Sequence, residues 1–211
     1  MREKEMKIIK RIIAVFVSAV LFSGVFILSS STAKADNTFG DYTYVHTFSA
    51  SGEFITISKY TGSEEAVTIP DTIDGLPVAF IGTSAFRDNK NLISVTIPDS
   101  VVSVGQSAFE GCENLTNVTL PDSLETIGNS AFNYCTVLTE ITIPNGVTSI
   151  GANAFYHTGI TSITIPGSVT NMGRGAFWSC YGLSNVILSE GLTTIPEVAF
   201  NGCSSLTSIT I

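Results

Sequence analysis

The residues able to do chemistry are few, and their spacing is regular. Cys112, Cys135, Cys180 and Cys203 each follow a phenylalanine by three residues. Thiols at equivalent positions of stacked units have three possible uses. Cys112 with Cys135, and Cys180 with Cys203, would stand about 5 Å apart, within disulfide range if their Cβ vectors agree. Equivalent positions point in parallel, which suits buried free thiols acting as small apolar filler. Zinc is the remaining use, and no histidine shares the column. The only histidines are His46 and His157, so a Ser-His-acid triad would need chance geometry. No glycine-rich phosphate loop or His-x-x-x-His pair occurs. No catalytic residue, metal or cofactor is expected, and the chain reads as a non-enzyme.

Two sets of residues are candidates for binding. Tyr134, Tyr156, Trp178 and Tyr181 follow the phenylalanines of three successive units, with His157 among them. Adjacent units would line these rings along one edge, and clustered exposed Tyr and Trp dominate interface energetics. The alternative is that each ring packs against the next unit. Thr119, Thr142 and Thr164 belong to a second column, with Thr96, Ile187 and Thr210. That column is either a protein-binding ribbon or a solvated row of strand formers.

A repeat must position these residues. Ala-Phe recurs at Phe86, Phe109, Phe132, Phe155, Phe177 and Phe200, spaced 23, 23, 23, 22 and 23 residues apart. Four residues earlier stands Gly82, Gly105, Gly128, Gly151 or Gly173, and Pro196 in the last unit. Short segments such as Val118-Thr119-Leu120 and Ile141-Thr142-Ile143 alternate apolar and Thr, as a half-buried strand does. Proline follows and ends the strand, having no N–H to donate. Ala-Phe is expected on a single helical or 3-10 turn with its ring inward. One unit buries too little alone, whereas stacked units share a continuous core. The expected fold is a right-handed solenoid of parallel rungs about 4.8 Å apart.

The flanks lack this period. Tyr42 to Val45 and Glu53 to Ile57 alternate around Ala50-Ser51-Gly52 and suggest a β-hairpin. Residues 36–66 are expected to form an N-terminal hairpin cap, and 67–211 the solenoid, beginning with a degenerate rung at Val67 to Pro70. Residues 1–35 read as a secretion signal. Arg2, Lys4, Lys7, Lys10 and Arg11 precede a 17-residue uncharged run, Ile12 to Leu28, and Ala33-Lys34-Ala35 fits a cleavage site. No membrane span is expected after cleavage. The last rung, Ile209 to Ile211, has no polar cap after it, so its open end is a place for self-association or for further chain.

Charge narrows the partners. The full chain carries 18 acidic and 10 basic side chains, net −8. Six of the ten basic residues lie in 1–35 with only Glu3 and Glu5, so residues 36–211 carry 4 against 16, net −12. Such acidity disfavours nucleic acid and anionic membranes.

The units resemble the BspA-type leucine-rich repeats of bacterial surface proteins. Leu115 to Pro121, Ile127-Gly128, Ala131-Phe132-x-x-Cys135, Ile141 to Pro144 and Val147 to Gly151 carry the resemblance. It implies a secreted or cell-surface, non-catalytic module that adheres to host, matrix or other cell-surface proteins. The alternative is a scaffold segment of a larger secreted protein or enzyme whose active domain lies elsewhere.

Overall fold

The computed structural model describes residues 37–49 and 52–211. The secretion-signal reading of 1–35 lies outside the described residues. Among the described residues no helix is long and apolar enough to cross a membrane.

Strands β1 (Asn37–Phe39), β2 (Tyr42–Ser49) and β3 (Gly52–Tyr60) pair antiparallel in sequence order. β3 then turns the sheet parallel by pairing with Leu76–Ile81. Ser103–Val104, Thr126–Ile127, Ser149–Ile150 and Asn171–Met172 continue it, so that Ile57, Ile81, Val104, Ile127, Ile150 and Met172 stack in register. The hairpin therefore covers the first rung by extending its backbone ladder.

The opposite wall consists of two three-stranded parallel sheets. One joins Ala66–Thr68, Ser94–Thr96 and Asn117–Thr119. The other joins Ser162–Ile165, Asn185–Leu188 and Ser208–Thr210. Ile141-Thr142-Ile143, expected as a strand between them, forms none. This rung keeps only an entry bond, Thr161 N–H to Thr139 O at 3.1 Å. The next unit is the 22-residue one, with its shortened turn between Phe155 and Ile160, and the lost ladder falls against it.

The phenylalanines form the core column. Phe86, Phe109, Phe132, Phe155 and Phe177 are fully buried. Successive rings through Phe200 stack with centroids 4.9 to 5.6 Å apart and planes within 19°. Tyr60 of the hairpin heads the column, 5.0 Å from Phe86.

The Ala-Phe segments are not helical. In each unit the residue two before Phe and the residue two after it have φ between +53° and +75°. Left-handed residues on both sides of Ala-Phe interrupt right-handed winding. What forms instead is a chain of tight turns, such as Arg87 N–H to Ser84 O and Asn89 N–H to Phe86 O.

The glycine column holds the rungs close. Gly105, Gly128, Gly151 and Gly173 donate their N–H to the preceding rung at 2.7 to 2.8 Å. Pro196 has no N–H to give at that place, and Ile195 beside it is 49% exposed where Ile150 is fully buried. Ile195 therefore does not continue the apolar register, and the sheet ends at Met172.

Candidate functional site

The edge carrying the residues just after each phenylalanine is rigid. The residue two after Phe donates its N–H to the carbonyl of the next rung: Gly111 to Asn133 at 2.7 Å, Tyr134 to Tyr156 at 3.0 Å, His157 to Trp178 at 2.9 Å, Ser179 to Asn201 at 2.7 Å. Side chains here stand on a hydrogen-bonded backbone rail.

All five ring residues singled out on this edge come together. Tyr134 meets Tyr156 at 5.3 Å between centroids and His157 at 5.1 Å. Tyr156 meets Trp178 edge-on at 5.4 Å, and His157 meets Tyr181 edge-on at 5.3 Å. Tyr134 and Tyr181 are exposed, whereas Tyr156, His157 and Trp178 are half-buried. A hydrogen bond with Tyr156 raises the Tyr134 phenol above its ordinary range. Rings locked edge to face lose little freedom when a partner lands on them.

Two of these residues occupy a strained backbone. Tyr134 has φ +58° and His157 φ +56°, at the position where other units have Gly111, Gly202, Asp88 or Ser179. A left-handed conformation costs a residue with a Cβ about 1–2 kcal/mol, which Gly avoids. Sequence alone did not reveal this strain, although glycine at two equivalent positions was a signal for it.

The same columns are charged at the other end of the edge. Arg87 pairs with Asp88 and Glu110, each at 3.5 Å, and Lys90 pairs with Glu113 at 2.8 Å. Outside those columns, three residues before Phe177, Arg174 pairs with Glu197 at 3.2 Å. These pairs were not read from the sequence. All but Arg87–Asp88 join residues 23 apart, so the repeat period was their signal.

The threonines lie on the second wall, apart from the rings. Thr96 and Thr119 are register partners, and Thr164, Ile187 and Thr210 form a separate ladder. Thr142 lies in the unpaired rung between them, so Thr119, Thr142 and Thr164 do not make one ladder.

The four cysteines are free and buried. Each S–H donates to the phenylalanine carbonyl one rung earlier: Cys112 to Phe86 at 3.1 Å, Cys135 to Phe109 at 3.2 Å, Cys180 to Phe155 at 3.0 Å, Cys203 to Phe177 at 3.2 Å. Thr158 fills the gap in the shortened unit, bonding Phe155 O at 3.0 Å and meeting Cys180 Sγ at 3.2 Å. Burial pushes the Cys112 thiol up to about 12 and raises Cys135 well above its ordinary value. Such thiols stay protonated and unreactive.

Known proteins match this architecture. The BspA type leucine rich repeat region matches residues 59–184 and 136–211, in six copies. The chain belongs to that family. Among solved structures, this leucine-rich repeat chain is similar to the T. pallidum leucine rich repeat protein TpLRR, at 34% identity and TM-score 0.78, over 83% of this chain and 81% of that one. It is similar to a leucine-rich repeat protein from Bacteroides ovatus at 32% identity and TM-score 0.73, over 82% of this chain but only 46% of that one. A leucine rich cell surface protein from Faecalibacterium prausnitzii matches at 30% identity and TM-score 0.51, over 77% of this chain and 56% of that one. No curated protein matches.

Proposed function

We propose that this leucine-rich repeat chain is a secreted or surface-displayed, non-catalytic module that binds other proteins through its aromatic edge. The observation that carries the reading is the set of five interlocked rings, exposed Tyr134 and Tyr181 with half-buried Tyr156, His157 and Trp178 between them, on a hydrogen-bonded backbone rail. Tyr and Trp held in such a cluster are the residue types that dominate protein interfaces. The signal-like residues 1–35, and the cell-surface description of the Faecalibacterium relative, support an extracellular location. A second reading, a scaffold segment of a longer secreted protein, is favoured by the span of only 46% of the Bacteroides ovatus chain.

The test is surface plasmon resonance of residues 36–211 against a panel of purified extracellular-matrix proteins. At least one should be captured, and the double variant Tyr156→Ala/Trp178→Ala should lose about tenfold or more in affinity. Capture unchanged in the double variant would remove the aromatic edge from the function. N-terminal sequencing of the exported protein should begin at Asp36.

A further inference from the structure

The aromatic edge combines three features that select among partners. Its rings interlock across three consecutive rungs, and the faces of such rings are electron-rich. It lies on a strongly acidic body, since residues 67–211 hold 11 carboxylates against Arg87, Lys90 and Arg174. All three of those cations are already paired with carboxylates. The edge therefore offers a visiting group π surface in a negative field. Anionic partners would be repelled, and a cation would be attracted twice, by the field and by the ring quadrupoles.

The backbone fixes where two of the rings stand. Tyr134 and His157 sit at left-handed φ values of 58° and 56°, as Asp88, Gly111, Ser179 and Gly202 do at the same place in the other units, so the turn of the repeat imposes the conformation and holds both rings on the edge.

We infer that the aromatic edge receives a cationic side chain, arginine or lysine, from a basic segment of a partner protein. This rests on the reading of the edge as a protein-docking surface and adds the chemistry of what docks.

Trp178 is the only tryptophan of the chain, so its fluorescence reports the edge directly. The probes are octa-arginine, a glycine-serine peptide of equal length, an octa-glutamate peptide and a neutral hexasaccharide. Titrations run at about 0.15 M salt, where the screening length is about 8 Å and distant surface charge counts little. Octa-arginine should change Trp178 fluorescence with saturation, and the glycine-serine and glutamate peptides should not. The variant Tyr134→Gly/His157→Gly keeps the net charge, Trp178 and the left-handed turns. It should bind octa-arginine about tenfold more weakly, as expected for losing one or two cation–π contacts, while its melting temperature stays level or rises. Tyr181→Ala should weaken binding in the same direction. Octa-arginine binding that survives in both variants would reduce the effect to bulk charge and overturn the inference. Absence of binding would overturn it too. If the hexasaccharide or the neutral peptide binds instead, and the variants lose that binding, the cationic assignment fails while the edge stands as a docking surface.

Discussion

Val198 has φ +53° at a position that Ser84, Ser107, Ser130, Asn153 and Gly175 fill in the other units. Branching at Cβ makes that conformation harder for Val than for Ser, Asn or Gly. Val198→Asn should therefore stabilise the protein by about 1 kcal/mol, read as a raised urea midpoint with an unchanged slope; a lower midpoint would mean that Val198 packing outweighs the strain. Glu125 shows a second conflict at this scale. It is half-buried, at the place held by Val102 in the preceding unit and Thr148 in the following one, and burial pushes its carboxyl up to about 7. Folding thus favours the protonated acid. Its ordinary value is 4.5, so the penalty is absent below about pH 4.5, grows as pH rises toward 7, and is constant above. Glu125→Gln should melt level with the parent at pH 4 and above it at pH 8. A gap independent of pH would show that the carboxyl carries no such penalty.

Gly128 and Gly151 show how tightly each unit is tied to its neighbour. A Cβ on Gly128 would lie 2.6 Å from Gly105 C, and one on Gly151 would lie 2.4 Å from Asn129 N. These obstacles are backbone, so no side chain can move aside. Gly128→Ala should cost about 3–5 kcal/mol by forcing the rungs apart, measured by chemical denaturation. A loss under about 1 kcal/mol would mean that the rungs shift freely. Most of these elements were legible in the sequence because the repeat writes the same signal six times: the Phe column, the glycine column and the parallel rungs all follow from one period. Three features were not legible. Tyr60 joins the ring stack from 26 residues before Phe86, off the period. The rung at Ile141 to Ile143 has the strand pattern, yet its pairing depends on how the shorter following unit lies against it. Pro196 reads as a harmless substitute for glycine, and only the cross-rung bond of Gly173 N–H to Ile150 O reveals what it removes. The aromatic edge was legible as shared register, because residues at equal offsets from Phe must line up. Its strain was not, because φ is fixed by the turns on either side.

At the scale of the molecule, the ring column makes stability depend on position along the stack. Each unit touches mainly the units before and after it, so the total behaves as a sum of unit terms and nearest-neighbour terms. Phe132 has a stacked ring on both sides, with Phe109 at 5.3 Å and Phe155 at 5.5 Å. Phe200 is half-buried and stacks on Phe177 at 5.6 Å. Phe132→Ala removes a fully buried ring and two stacking contacts, and should cost about 3–5 kcal/mol. Phe200→Ala should cost about 1–2 kcal/mol, because it gives up part of a ring's burial and one such contact. The two changes should also differ in kind. A cut at Phe132 weakens the coupling between the half held by the hairpin and the half beyond it. The far half contains Pro196, which interrupts the cross-rung bonds that the glycine column makes in the half nearer the hairpin. It should therefore open first, and denaturation of the Phe132→Ala protein should broaden or split into two steps. Amide exchange should show Ser103–Val104 still protected when Asn185–Leu188 has lost protection. Phe200→Ala should keep a single transition at a slightly lower midpoint. A single sharp transition in Phe132→Ala, with both strands exchanging together, would mean that the two halves fold as one unit despite the cut.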